Sequence, residues 1–171
     1  MFIQQTPKNY HLTNIKPPHT SGGIFKGDNI MEKIIQKFIK DFSNRNKRAD
    51  YILDFKNNFI FYKKCALYKA DLRIFNYDYM SENSVKLGDS TTLLNCEKYE
   101  QLLELDCIRR FDNITTYSYR LNDMFIEVNE KLVKMVDGSF YVKGISHYSP
   151  VKFYDENEEL IALILPINCK R

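Results

Sequence analysis

The sequence has few of the residues on which several common kinds of site depend. Its four cysteines form no Cys-x-x-Cys pair, and no histidine stands at ligand spacing from them, which argues against zinc. It contains neither a Gly-x-x-x-x-Gly-Lys-Ser/Thr loop nor a Gly-x-Gly-x-x-Gly turn. Outside the first 30 residues, His147 is the only side chain with an ordinary pKa near neutrality, and it fits a turn. We therefore expect reduced thiols, no metal and no cofactor.

Long apolar runs are also absent. The longest, from Leu160 to Leu165, is far too short to span a bilayer. The first ten residues, MFIQQTPKNY, contain no apolar signal core. These features predict a cytoplasmic protein without a membrane partner.

What is present is enough apolar material for one folded domain. The chain has 171 residues, of which 44% are hydrophobic and 14% aromatic. Phe, Tyr, Met, Ile, Asn and Lys account for 79 of the 171 residues. The codons for these six are rich in A and T, so a low-GC bacterium, a phage or another mobile element is the expected origin.

Charge is divided unevenly along the chain. Residues 31–75 carry eleven Lys/Arg and five Asp/Glu, a balance of +6, whereas residues 76–171 carry eleven and sixteen, a balance of −5. Such asymmetry is typical of a protein with one surface for an anionic partner and another for a basic one, and equally of an ordinary uneven surface.

Residues 1–30 differ from the rest in composition. They hold three of the five prolines and three of the six glycines without any periodic pattern, which predicts an irregular leader. Residues 26–31 can be back-translated into a ribosome-binding sequence followed by an ATG codon. Met31 is therefore a candidate for the native start, with an ordinary N-terminal arm as the alternative.

Periodicity predicts an α+β domain over residues 31–171. Apolar residues from Ile34 to Phe42 follow helical spacing, with Asn29 and Glu32 as a cap pair, and Asn57-Asn58 divides two short strands. The earlier predicted elements are a helix at 31–42, strands at 51–55, 59–62 and 66–75, a loop at 76–90, a helix from Cys96 to Leu103 capped by Asn95, and a strand at 114–121. The later ones are a strand at 124–128, a helix capped by Asn129, and strands at 137–144, 149–155 and 159–168.

This order, with the ending Leu165-Pro166-Ile167, resembles a single domain of a bacterial DNA sliding clamp, the polymerase III beta subunit. Clamp domains consist of two halves in which strands follow a helix, and residues 31–75 and 129–168 show that order twice. The resemblance implies a fold of two helices packed on antiparallel sheets. Because clamps have three such domains per chain, a single domain would have to associate to close around DNA.

The resemblance also implies two kinds of site. Clamp helices face duplex DNA with backbone-directed charge, which points to the lysines of the two predicted helices. The last strand of clamps lines a pocket for short peptides of the replication machinery. The implied DNA-binding residues are Lys33, Lys37, Lys40, Lys131 and Lys134. The implied peptide-pocket residues are Leu163, Leu165, Pro166 and Ile167, although core packing explains Leu163 and Leu165 equally well. Residues 76–112 fit the pattern poorly and are predicted to be an insertion.

Catalytic patterns are weaker. Asp54-Phe55-Lys56 is similar to the acid-x-Lys element of metal-dependent nucleases, but no further carboxylates stand in place to hold the ion. The acidic cluster between Asp155 and Glu159 lacks the spacing of a calcium loop and fits a solvated turn. We therefore expect a non-enzymatic accessory protein of DNA or the replication machinery. The alternatives are an anti-defence or host-takeover protein that occludes a host nucleoprotein and, more remotely, a nuclease.

Overall fold

The computed structural model describes residues 28–95, 99–111, 113–136, 139 and 141–167. Residues 1–27 of the predicted leader lie outside these ranges, as do Cys96 and Cys169. Of the remaining cysteines, Cys65 is a free thiol, half-buried. The described residues form a single domain of mixed helix and sheet, which confirms the predicted α+β class at that level.

Helices are few and short except for the first. The α-helices are α1 (Asp28–Phe42), α2 (Arg45–Arg48), α3 (Tyr77–Glu82), α4 (Thr91–Leu94) and α5 (Glu130–Val133). Two 3₁₀ turns are Leu72–Ile74 and Lys134–Val136.

Strands account for more of the domain than helices do. In chain order they are β1 (Tyr51–Asp54), β2 (Phe59–Tyr62), β3 (Ala66–Lys69), β4 (Lys86–Leu87), β5 (Glu100–Gln101), β6 (Leu103–Phe111), β7 (Ile114–Leu121), β8 (Met124–Asn129), β9 (Tyr141–Gly144), β10 (Val151–Tyr154) and β11 (Leu160–Ile164).

Eight of these strands form one large sheet in the order β4-β1-β2-β3-β11-β10-β9-β5. All neighbours are antiparallel except β1 and β4. Two three-stranded meanders, β1-β2-β3 and β9-β10-β11, therefore meet where β3 pairs with β11. We call them the first and second halves of the large sheet. A helical element precedes each half, as the sequence predicts.

The other three strands form a small antiparallel sheet in the order β6-β7-β8. The chain passes from β5 at one edge of the large sheet through Leu102 directly into β6. After β11, the Leu165 amide donates to the Cys65 carbonyl and the Ile167 amide donates to the Glu127 carbonyl of β8. The two sheets are thus linked at both ends of the small sheet.

The main core lies between the sheets and the helices. α1 contributes Ile34 and Phe38, which are 1% and 0% exposed, and α5 contributes Leu132. Period-2 alternation places Leu53, Ile60 and Tyr68 on the same inner face of the large sheet. A smaller cluster, with Phe59, Leu67 and Leu163 at its centre, lies on the outer face.

Residues 88–95, which we call the strap, lie over this outer face. Gly88 is close to the sheet, since a Cβ atom there would lie 2.8 Å from Ile52 Cγ2. Leu94 packs on the outer apolar cluster, and its carbonyl oxygen accepts a hydrogen bond from Lys152 Nζ at 3.3 Å. The chain enters the strap from β4 at one edge of the large sheet and next pairs through β5 at the opposite edge. The strap thus covers part of a face that would otherwise expose apolar residues.

Several predicted elements have different bounds. α1 begins at Asp28, so Asn29 lies inside the helix and does not cap it. The third strand ends at Lys69, because Asp71 accepts a hydrogen bond from the Arg73 amide and starts a 3₁₀ turn. The predicted loop at 76–90 contains α3, whose first turn is capped by Asn76. The last two differences come from short polar side chains that bond to nearby amides.

The predicted helix from Cys96 to Leu103 is wrong from Glu100 onward, and its residues 96–98 lie outside the described ranges. The helical residues are Thr91–Leu94, and Glu100–Gln101 and Leu103–Phe111 are strands. Leu102 is buried against Gly144, whereas Leu103 is half exposed, so the two leucines point to opposite sides as in extended chain.

Candidate functional site

Lys37 reaches a buried carboxylate. It lies four residues before Asp41 on α1, and its Nζ is 3.2 Å from Asp41 Oδ2. Tyr51, the first residue of β1, donates its hydroxyl hydrogen to the same oxygen at 2.7 Å. Because Asp41 is only 6% exposed, these donors compensate a charge that would be costly to bury alone. The Lys37 ammonium also lies 5.3 Å from the ring centroid of Tyr62.

A second lysine approaches Asp41 from α2. Asn44 caps this helix by accepting hydrogen bonds from the amides of Asn46 and Lys47, which fixes its first turn. Lys47 Nζ lies 3.6 Å from Asp41 Oδ1, and its side chain remains 59% exposed. Asp41 therefore holds two lysines that are ten residues apart in sequence.

The turn between β2 and β3 adds two further lysines. Lys63 and Lys64 have φ values of 52° and 58°, in the left-handed region that makes such a tight turn. Lys63 Nζ lies 5.6 Å from the Tyr62 centroid and 3.8 Å from Asp50 Oδ2. Lys64 follows directly and is exposed. We call Lys37, Lys47, Lys63 and Lys64 the lysine cluster.

Hydrogen bonding fixes the protonation states around Asp41. The Tyr51 hydroxyl, together with Lys37 and Lys47, holds the pKa of Asp41 below its ordinary value, although burial acts in the opposite direction. Burial and the hydrogen bond to Asp41 raise the pKa of Tyr51 well above its ordinary range. Burial is the largest influence on the pKa of Lys37 and lowers it, but the hydrogen bonds and charges of Asp41 and Tyr62 together outweigh burial, and the net change is upward. At neutral pH, Asp41 is therefore ionised and Lys37 is charged.

Three more cations lie on the two helices that supply Lys37 and Lys47. They are Lys40 in the last turn of α1, and Arg45 and Arg48 on α2. With the lysine cluster they make seven cationic side chains against the carboxylates of Asp41 and Asp50, a balance of +5. Such a local excess attracts phosphates over about a Debye length, ~8–10 Å at physiological salt.

The lysines expected from helix faces have different surroundings. Lys33 and Lys40 are exposed on α1, whereas Lys37 is held by Asp41 and Tyr62. On the other helical element, Lys131 is exposed and Lys134 Nζ lies 2.6 Å from Glu130 Oε1. The structure thus joins Lys37 to lysines of α2 and of the β2–β3 turn. The sequence does not predict that Lys47, Lys63 and Lys64 lie near Lys37. It shows only the positive charge balance of residues 31–75 to which all four belong.

The residues of the predicted peptide pocket have unequal access to solvent. Leu163 is 3% exposed and packs in the outer apolar cluster with Phe59 and Leu67. Leu165 is 43% exposed, and Pro166 and Ile167 are half-buried. The prediction of peptide binding therefore remains a prediction for the last three residues, since Leu163 is covered.

Asp54 of the acid-x-Lys element is bonded to the strap. Its carboxylate accepts hydrogen bonds from the amides of Lys56, Asn57 and Ser90, from the Asn57 side chain and from the Ser90 hydroxyl. Burial alone would raise the pKa of Asp54, but the bonds from Ser90 and Asn57 outweigh it and lower the pKa. Lys56 Nζ lies 2.9 Å from Asp89 Oδ2. This arrangement fastens the strap to the β1–β2 turn.

The remaining acidic cluster forms a hairpin turn. Asp155 Oδ1 accepts hydrogen bonds from the amides of Asn157 and Glu159, and Glu159 pairs with Lys69 at 2.6 Å. Within the described ranges, no group of three or more His, Cys, Asp or Glu side chains is placed to hold a metal ion. His147 lies in the turn before β10, with its ring 3.9 Å from that of Tyr148.

No helix in the described part of the chain is long and apolar enough to cross a membrane. Comparisons with protein families, with curated proteins and with solved structures find no match to this chain.

Proposed function

We propose that this protein is a non-enzymatic accessory protein that binds nucleic acid through the lysine cluster. The observation that carries the proposal is the convergence of lysines from three separate elements around Asp41 and Tyr62. A cluster of this kind suits phosphate groups, because ammonium ions meet phosphates as point charges without reading the base sequence.

The lysines differ in how they support binding. Lys37 is tied to Asp41 and serves mainly to position the surface, whereas the side chains of Lys47 and Lys63 are 59% and 53% exposed. Lys64 is also exposed. These last three are the side chains that we expect to contact phosphates. Each exposed contact contributes little by itself, but each releases a condensed counterion, so binding should depend strongly on salt.

The experiment compares two triple variants in duplex DNA binding at several salt concentrations. In the first, Lys47→Gln, Lys63→Gln and Lys64→Gln remove the three exposed lysines of the cluster. We expect the slope of log affinity against log salt to fall by about 2.7, at about 0.9 per contact. Fluorescence anisotropy with a labelled duplex provides the measurement. Lys37 is left in place because its loss, together with that of Lys47, would leave the buried Asp41 carboxylate without either of the lysines that pair with it.

The matched control is Lys33→Gln, Lys40→Gln and Lys131→Gln, which removes three exposed lysines from α1 and α5. It should keep most of the slope. An equal loss of slope in both variants would mean that the helix faces implied by the clamp resemblance contribute to DNA binding as much as the lysine cluster does. Wild-type protein without salt-dependent binding would contradict the proposal altogether.

The non-catalytic part of the proposal is supported by Asp54, whose carboxylate already accepts five hydrogen bonds within the protein. We expect no cleavage of duplex or single-stranded DNA with magnesium or manganese. Cleavage that disappears in Asp54→Asn, with the fold retained, would instead identify a nuclease.

A further inference from the structure

Exposed apolar side chains occur in the last turn of α1 and in residues 72–82, a segment whose Phe75 and Tyr79 contact α1. Ile39, Ile74, Tyr77 and Tyr79 are 55%, 59%, 52% and 51% exposed. The Tyr79 ring stacks on Phe42 with centroids 6.2 Å apart, and Tyr77 meets Phe55 edge to face at 5.2 Å. Exposed apolar groups that are concentrated in this way mark protein-contact surfaces more often than isolated ones do.

The short helix α3 holds the two tyrosines firmly. Asn76 Oδ1 accepts a hydrogen bond from the Tyr79 amide at 2.9 Å, and Met80 is 6% exposed. Below them, Phe42 contacts Phe38, which is fully buried. A surface that is ordered in this way loses little conformational entropy when a partner covers it.

Opposite charges lie on the two helices next to Phe42. On α2 the Arg48 guanidinium lies 5.2 Å from the Phe42 centroid, and Arg45 is one turn away. On α3, whose Tyr79 stacks on Phe42, Asp78 and Glu82 are both exposed. No ion pair joins any of these four side chains to another residue in the described part of the chain.

Helical geometry separates this surface from the lysine cluster. At about 100° per residue, Arg45 and Arg48 lie about 60° apart, whereas Lys47 points away from both. The contacts agree, since Lys47 reaches Asp41 and Arg48 lies over Phe42. The two surfaces therefore occupy different sides of α2.

We propose that this surface binds a second copy of the same chain through a two-fold axis near Phe42 and Tyr79. The two-fold operation places the arginines of one copy on Asp78 and Glu82 of the other, and the reverse. The basic, apolar and acidic parts are thus self-complementary, as an isologous interface requires. The proposal does not depend on nucleic-acid binding by the lysine cluster.

Single-stranded nucleic acid, with bases stacked on the tyrosines, is the competing occupant. On α3, Asp78 lies between Tyr77 and Tyr79 on the outward side, and Glu82 lies about 40° from Asp78 at about 100° per residue. Both carboxylates would repel a phosphate backbone that crosses the tyrosines, whereas they attract the arginines of a second copy. The charge pattern therefore favours self-association.

Sedimentation velocity of the full chain tests the proposal, and charge reversal supplies the variants. Wild type should shift from monomer to dimer as concentration rises through two orders of magnitude. Asp78→Lys with Glu82→Lys, and separately Arg45→Glu with Arg48→Glu, should each remain monomeric where wild type is dimeric. An equimolar mixture of the two should dimerise again, because a wholly basic face then meets a wholly acidic one. Restoration on mixing cannot come from general destabilisation.

The matched control is Glu156→Lys with Glu158→Lys, which reverses two exposed charges in the β10–β11 turn and should dimerise as wild type does. A wild type that stays monomeric overturns the proposal, and so does a mixture that stays monomeric. Binding of a labelled oligothymidine that Tyr79→Ala weakens, without any dimer, would assign the surface to single strands. None of these results bears on the lysine cluster, whose duplex binding is measured separately.

Discussion

In the first half of the large sheet, the preceding helix α1 has 15 residues and packs on β3 and on Tyr51 of β1. In the second half, the preceding helical stretch consists of four α-helical residues and a 3₁₀ turn, and α5 packs on β7 and β8 of the small sheet. The halves thus share strand pairing but not the location of their helices. Backbone hydrogen bonding alone therefore does not determine which surface a helix covers; side-chain packing decides it.

Charge also differs between the halves. The β2–β3 turn of the first half contains Lys63 and Lys64, whereas the β10–β11 turn of the second contains four carboxylates between Asp155 and Glu159. The candidate nucleic-acid surface lies entirely in the first half and its helices. The two halves therefore have the same strand pairing but present turns of opposite charge. Four predictions test how far the halves differ in the interactions that stabilise them.

The largest effect is expected from the helix of the first half. Phe38→Ala removes a ring that is fully buried and contacts Phe42, Tyr51 and Phe75. Truncation of such a ring costs about 3–5 kcal/mol in the free energy of unfolding. Leu132→Ala, its counterpart on α5, should cost less, because Leu132 is 8% exposed and the helix is shorter. Urea denaturation gives both values. A loss of unfolding free energy in Leu132→Ala that equals or exceeds the loss in Phe38→Ala would contradict the expected difference.

Low pH should weaken the stabilising interactions of Asp41, which lies on the same helix. Because the pKa of Asp41 is below its ordinary value in the folded protein, its contribution is complete above the unfolded-state pKa, about 3.9, and is lost as pH falls through the lower folded value. Asp41→Asn should destabilise the protein by about 1.5–3 kcal/mol at pH 7, as expected for hydrogen bonds to a charged group. Below about pH 4 the difference in unfolding free energy between Asp41→Asn and wild type should become smaller. Thermal melts across pH provide the test; a constant gap would mean that the charge of Asp41 is unimportant.

A buried hydroxyl adds a side-chain link between the halves. Tyr68 of β3 donates its hydroxyl hydrogen to the Leu132 carbonyl of α5 at 3.0 Å. Tyr68→Phe keeps the buried ring and leaves that carbonyl without this donor, so we expect a loss of about 0.5–1.5 kcal/mol. Tyr148→Phe, in an exposed turn, serves as the control and should be neutral. If Tyr68→Phe is also neutral in urea melts, the two halves are not coupled through this bond.

The smallest effect is expected from the surface link between the halves. Lys69 of the first half pairs with Glu159 of the second at 2.6 Å, but the two side chains are 34% and 61% exposed. Exposed pairs contribute about 0–1 kcal/mol, and salt screens them. A double-mutant cycle with Lys69→Met and Glu159→Gln should give a coupling within that range. A larger coupling energy that persists at high salt would show that this pair stabilises the contact between the two halves.

Short sequence patterns correctly predict several elements of the two halves and of the small sheet. Asn58 adopts φ of 59° as the last residue of the turn between β1 and β2, and Asn129 caps α5 by accepting a hydrogen bond from the Lys131 amide. The strand at 114–121 has the predicted bounds. In each case the deciding interaction lies within a few residues of the pattern that predicts it.

The errors arose where distant contacts decide the outcome. Around Leu102 and Leu103 the apolar spacing fits a helix or a strand, and the chain is extended because the Leu102 amide donates to the Val142 carbonyl of β9. The lysine cluster was missed for the same reason. Its members come from α1, α2 and the β2–β3 turn, and only the positions of Asp41 and Tyr62 bring them together. Periodicity contains no information about such convergence.

The pairing of β3 with β11 has a consequence for how the protein is made. The paired residues are about 95 positions apart in sequence. At a synthesis rate of about 5–20 residues per second, β3 leaves the ribosome roughly 5–20 seconds before its partner exists. During that interval its backbone donors and acceptors form an open edge, bordered by Leu67 and Tyr68, on which another nascent chain could pair. Yield in cells should therefore depend on translation speed and on chaperones that shield this strand.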